Sequence, residues 1–387
     1  MLGGQGARLL IYLDHNATTP VLPEVVDAML PYLREHFGNP SSGHVYGRRA
    51  HEGVARARRQ VADLLGCDAD EVIFTSGGTE SNNLAIRGVV EARAERRHVV
   101  TTVIEHPATE HPCAWLERHG VRVTRIGVDA DGRARIPEAR AAIDADTALI
   151  SVMHSNNETG VLQPIAELVA LAHARGAILH TDAAQSVGKV ALKVRELGVD
   201  LLSIAGHKLY APKGVGALYV RRDTPLAPFV LGAGHERGLR PGTENVAAIV
   251  GLGMACEIVG RDMDSVARRI SGLRDELWAR LEAAVPGIQL NGHRSLRLPN
   301  TLNVRFPRAS GNAILLDTPE IAASTGSACH AAGETASAVI LAMGIDANEA
   351  LGSIRLTLGR GTTAAEVEVA AEALVRAWCG TAAAQGG

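Results

Sequence analysis

Short apolar segments rich in β-branched residues alternate, through the first half of the chain, with longer segments whose apolar positions recur at helical spacing. EVIFTS (71–76), HVVTTVIE (98–105), VRVTRIGV (121–128), ALISVMHS (148–155), AILHTDA (177–183), LLSIAGH (201–207) and GALYVRR (216–222) read as strands. ESNNLAIRGVVEARAE (80–95), ATEHPCAWLERHG (108–120) and IAELVALAHARG (165–176) read as the helices between them. Strands this uniformly apolar need cover on both faces, so the alternation predicts an α/β fold on a mostly parallel sheet. The pattern changes after a long helix near 246–261. A charged helix around 264–285 follows, with strands near TLNVRF (301–306) and SIRLTLG (353–359), which predicts a second, smaller α+β domain.

Composition narrows the function classes. The 387 residues suit two or three domains. Hydrophobic residues at 46% and charged residues at 21% are ordinary for a globular protein. A net charge of −3 argues against nucleic acid as the main partner. The basic run RRAHEGVARARRQ (48–60) has helical spacing and reads as a solvated helix face. The five cysteines, Cys67, Cys113, Cys256, Cys329 and Cys379, lack C-x-x-C spacing. They point to a reducing compartment without a disulfide framework or zinc ribbon. The N-terminal apolar run is too short for a signal peptide, and the longest apolar run (246–256) is too short for a membrane span. The expectation is a soluble, cytoplasmic protein.

Several strands end on chemistry. In SIAGHKLYAPKG (203–214), His207 and Lys208 follow an apolar strand, at the sheet edge where α/β proteins bind ligands. A buried lysine amine forms Schiff bases; an isolated G-H-K is otherwise a solvated loop. Asp182 ends another strand in ILHTDAAQSVGK (178–189), with Gln185 three residues on; alone, it would read as a helix cap. A strand-end acid and a strand-end lysine are the pair that pyridoxal phosphate (PLP) chemistry requires. TSGGTESNN (75–83) runs from a strand through two glycines into a helix start, a phosphate cradle beside that pair. His106 in IEHPATEHP (104–112) suits stacking on a ring better than metal, because the H-E-x-x-H spacing is missing and Pro107 and Pro112 are expected to interrupt any shared helix face. In SIRLTLGR (353–360), Ile354, Leu356 and Leu358 predict a half-buried strand with Arg355 on its other face, either a surface arginine or a fork for a carboxylate. Finally, STGSACHAAG (324–333) sets Cys329 among the smallest side chains, poor core material that lets backbone move or approach a ligand.

Together these stretches resemble the fold-type I, class V PLP enzymes, and most closely the NifS/IscS-like group I cysteine desulfurases. YLDHNATTP (12–20), FGNPSSGH (37–44), TSGGTESNN, MHSNNETG (153–160), TDAAQSVGK, GHKLYAPKG, GHERGLRPGTEN (234–245) and STGSAC occur in the family's order. The resemblance implies a large PLP-binding domain over 16–261 and a small domain from 1–15 plus 262–387 that carries the catalytic cysteine. It implies that Lys208 holds PLP, Asp182 pairs with the pyridine nitrogen, Gln185 contacts the ring hydroxyl, and His106 stacks on the ring and shuttles protons. Gly78, Thr79 and His207 would bind the phosphate, with Thr243 reaching the phosphate of the neighbouring subunit of a homodimer. Asn157 would lie beside the cofactor, and Asn39 and Arg355 would take the substrate carboxylate. Cys329 would be the nucleophile that receives sulfur from L-cysteine as a persulfide and hands it to an acceptor protein for iron–sulfur clusters or thiolation.

Two positions depart from the family pattern. Ala205 stands where a hydroxyl residue often precedes the His-Lys pair, which removes one hydrogen bond to phosphate. His330 follows Cys329, and A-C-H also resembles selenocysteine lyases; His330 either lowers the thiol pKa or is a plain loop residue. Three other readings stand beside the desulfurase: a selenocysteine lyase, a class V aminotransferase, and a non-catalytic scaffold that retains PLP.

Overall fold

The computed structural model describes residues 10–326 and 335–385. In chain order the strands are β1 (Ile11–Tyr12), β2 (Val72–Thr75), β3 (His98–Thr102), β4 (Arg122–Ile126), β5 (Thr147–Ser151), β6 (Ile178–Asp182), β7 (Leu201–Ala205), β8 (Gly216–Val220), β9 (Gln289–Leu290), β10 (Thr301–Arg305), β11 (Ile321–Ala322) and β12 (Ser353–Thr357). Seven of them form a sheet in the order β2-β8-β7-β6-β5-β3-β4. β8 runs antiparallel to both neighbours, and the other pairs are parallel.

Adjacent residues of these strands enter different cores, because side chains alternate across a strand. Val100, Ile150 and Leu202 join one apolar cluster, and Val99, Leu149 and Leu201 join another on the opposite face. Helices cover both faces, and the polar residues that the strands do carry, such as His98, Thr147, Ser151, His180 and Ser203, are buried and hydrogen-bonded to one another between strands. A third cluster gathers Leu302, Val304, Ile354 and Leu356 from the antiparallel sheet β12-β10-β9.

Three expectations need correction. The helices expected near 246–261 and 264–285 are one helix, Val246–Ala284, of 39 residues. No proline interrupts it, and Gly260 alone weakens a helix by only about 1 kcal/mol. Its first half gives Leu252, Ala255 and Val259 to the large core, and its second half gives Leu277 and Leu281 to the small one. Pro112 does not break its helix, which runs Pro107–Arg118. Pro107 sits in the first turn, where its missing N–H is harmless, and Pro112 lies one turn further on. Strand β12 is buried on both faces, not half-buried. The face carrying Arg355 packs toward Asp14 and Asn157. Among the described residues, no helix is long and apolar enough to cross a membrane.

Candidate active site

Strand ends converge on a cavity of about 240 Å³. The turn after β2 delivers Gly78 and Thr79, the turn after β3 delivers His106, and the loop after β5 delivers Asn157. β6 ends in Asp182 and is followed by Gln185; the single 3₁₀ turn after β7 carries His207 and Lys208. A parallel sheet places all these carboxyl ends on one edge, so residues scattered over the sequence share one wall.

The amine of Lys208 is depressed from its ordinary pKa, chiefly by burial and also by the Arg355 cation, with Asp182 and Asp14 opposing. The Asp182 carboxylate is held at both oxygens: Asn82 Nδ2 donates to Oδ2 at 2.7 Å and the Ala184 amide to Oδ1 at 2.9 Å. His106 caps the following helix, its Nδ1 accepting from the Ala108 amide at 3.1 Å. Burial and the Lys208 cation lower its pKa. In the neutral ring the proton therefore sits on Nε2. His207 is pushed down to about 4 by burial and by Lys208, Lys213 and Lys189. Its Nδ1 lies 3.2 Å from Thr18 Oγ1.

The helix Gly78–Ala92 starts without a side-chain cap, leaving its first amides available to an anion. A Cβ at Gly78 would stand 3.3 Å from the Ala205 Cβ, so the cradle is packed to glycine width on that side.

Arg355 donates from Nη2 to Asp14 Oδ1 at 2.8 Å and from Nη1 to the Asn157 carbonyl at 3.2 Å. Its buried Nε has no partner among the described residues. Asn39 and Thr243 do not line the cavity: both are exposed, and Asn39 Oδ1 accepts from the Ser41 amide at 2.9 Å. Cys329 and His330 lie outside the described residues. The chain on either side of them meets at one buried carboxyl. A Cβ at Gly326 would stand 2.6 Å from Glu158 Oε2, and Ser337 Oγ donates to that oxygen at 2.5 Å. Burial raises Glu158 to about 7.

Sequence reasoning passed over Asn82, Asp14, Glu105 and Lys189. Glu105, next to His106, is pushed up to about 8 by burial, and its Oε1 is bonded by Thr102 and the Met153 amide. Each lies inside a quoted motif, but nothing in a motif reveals that its polar residue is buried.

The family model for class-V aminotransferases matches residues 11–369. A cysteine desulfurase of Trichormus azollae is 46% identical over 93% of this chain and 90% of its own length. The cysteine desulfurase IscS of Dictyoglomus turgidum is 45% identical over 95% of this chain and 94% of its own. Among solved structures, a NifS-like protein superposes with a TM-score of 0.89 at 34% identity, covering 95% of this chain and 98% of that one. The chain therefore belongs to the class-V aminotransferase family and, within it, to the NifS-like cysteine desulfurases.

Proposed function

We propose that this protein is a PLP-dependent cysteine desulfurase that converts L-cysteine to L-alanine and holds the sulfur as a persulfide on Cys329. The observation that carries the reading is the buried Lys208 amine on the same cavity wall as the doubly bonded Asp182 carboxylate. The residues present fit PLP. An uncapped helix start at glycine width suits its phosphate, Asp182 its ring nitrogen, Gln185 its ring oxygen and Lys208 its carbonyl carbon. When bound, PLP supplies an electron sink for bonds at the Cα of an amino acid.

The chain's own residues do the rest. Depression of the Lys208 amine raises its neutral fraction, the form that acts as nucleophile and base. Arg355, whose guanidinium Asp14 and the Asn157 carbonyl hold next to the cavity-lining Asn157 although Arg355 is itself not among the lining residues, would take the substrate carboxylate. His106, with its proton on Nε2, is the proton donor that this wall of the cavity offers to the substrate. The Cys329 thiolate attacks the substrate Sγ: an S–S bond forms, the Cβ–S bond breaks, and the electron pair left on Cβ takes a proton to give alanine. The large unit, 16–261, would hold the cofactor, and the small unit would carry Cys329; the separate apolar clusters support that division. An acceptor protein for the persulfide completes the reading.

A homodimer is part of the same proposal. Leu33, Phe37 and Tyr46 are exposed at 61%, 68% and 48%, and the Phe37 and Tyr46 rings lie 5.6 Å apart. An apolar patch of this kind needs cover, and the exposed Thr243 would then face a neighbouring subunit. Phe37→Glu is expected to shift the mass in light scattering from dimer toward monomer; an unchanged dimer would rule out this patch as the interface.

The activity is tested by measuring alanine and sulfide from L-cysteine and L-selenocysteine side by side. Alanine from selenocysteine alone would replace the desulfurase by a lyase. Cofactor affinity is tested separately: Ala205→Ser restores a hydroxyl at the cradle and is expected to tighten PLP retention about five- to ten-fold, one hydrogen bond's worth. Equilibrium dialysis checks it, and an unchanged affinity would place the phosphate elsewhere.

A further inference from the structure

Lys189 is a partly buried lysine that the mechanism above does not use. Its Nζ donates to Gln185 Oε1 at 2.9 Å and to Asn16 Oδ1 at 3.1 Å. Gln185 Nε2 in turn donates to the Asn16 carbonyl at 2.9 Å. Asn16 is locked as well, its Oδ1 accepting from Asn300 Nδ2 at 3.0 Å and its Nδ2 donating to Thr301 Oγ1 at 3.0 Å.

An amide can sit either way round, and only its partners decide which. The Asn16 carbonyl can only accept, so it takes the Nε2 end. The Lys189 amine donates, so it takes the Oε1 end. Nε2 carries two N–H groups, and the second has no acceptor among the described residues, although Gln185 lines the cavity. Gln185 therefore meets a ligand as a donor.

The geometry points to Lys189 as a positioning residue that pins the Gln185 amide so that an N–H, and not the carbonyl, faces the ring oxygen of the bound cofactor. This rests on the PLP reading above. Lys189 sits among charges: the cations of Lys208 and Arg355 and the imidazoles of His15 and His207 face it. Burial, with Lys208 and Arg355, pulls its own pKa well below the ordinary lysine value.

The test uses the full-length holoenzyme and reads the pH midpoint of its visible cofactor band. A donor on the ring oxygen withdraws negative charge there, so the bound group gives up its proton at lower pH. Lys189→Met is expected to raise the midpoint by about one pH unit. Gln185→Leu should raise it similarly, and the double variant should add nothing further, because Lys189 acts through Gln185. Should Lys189→Met fail to fold by circular dichroism, Lys189→Gln, which loses the reach to Gln185, takes its place in the same cycle. An unmoved midpoint, or shifts that add in the double variant, would overturn the proposal. Absence of any visible band in the parent protein supplied with PLP would overturn the cofactor reading, and this inference with it.

Discussion

Cys329→Ala is expected to cut alanine formation from L-cysteine by ~10³-fold or more while the protein stays yellow. Lys208 would act at the substrate Cα without a protein thiol, the bound cofactor supplying only its electron sink, so the spectrum should still change on adding L-cysteine. Sulfur removal is different, because it needs a nucleophile at Sγ. No other described cysteine substitutes. Burial pushes the thiols of Cys67, Cys113 and Cys256 up to about 12, so they stay protonated, and Cys379 is not among the cavity residues. The chain around Cys329 suits the role. The Arg355 amide donates to the Ser324 carbonyl at 2.7 Å, beside the guanidinium assigned to the substrate carboxylate. Two residues separate Gly326 from Cys329, and the three steps between them span at most about 11 Å. Near wild-type desulfuration by Cys329→Ala would sink the persulfide mechanism. Selenocysteine turnover that survives the substitution would favour the lyase, because selenium leaves without a thiol partner.

Lys208→Ala is expected to lower turnover by on the order of 10³- to 10⁴-fold. The loss combines the covalent anchor of the cofactor with the base at Cα. The direct check is chemical: borohydride reduction of the parent protein, followed by peptide mapping, should place a pyridoxyl group on Lys208 and on no other lysine. Lys189 is the informative control, since its amine is also buried and depressed but is occupied by Gln185 and Asn16. The variant should fold, because it removes a desolvated cation whose Nζ has no hydrogen bond among the described residues, and Asp182 keeps its bonds to Asn82 and Ala184. A pyridoxyl label on Lys189 would exchange the roles of the two lysines.

The sequence by itself determined the sheet and the edge on which the chemistry sits. The apolar runs from Val72 to Val220 are strands because their residues alternate between two covered faces. Asp182, His106 and Lys208 were legible because a polar residue directly after such a run must emerge at a strand's carboxyl end. Those signals are local and survive in one dimension. Tertiary structure decided what depends on approach between distant segments. Ile354, Leu356 and Leu358 mark one apolar face of β12, but only the packing of Asp14 and Asn157 buries the face that carries Arg355. Nothing along 246–284 distinguishes two helices from one, because the shift from large to small core lies in which neighbours the helix meets. Asn39 and Thr243 read like site residues, yet lie away from the cavity of a single chain. The Asn82–Asp182 and Lys189–Gln185–Asn16 contacts were illegible for the same reason: a side chain's direction follows from the backbone period, while its burial and hydrogen-bond partners follow from which segments fold against it.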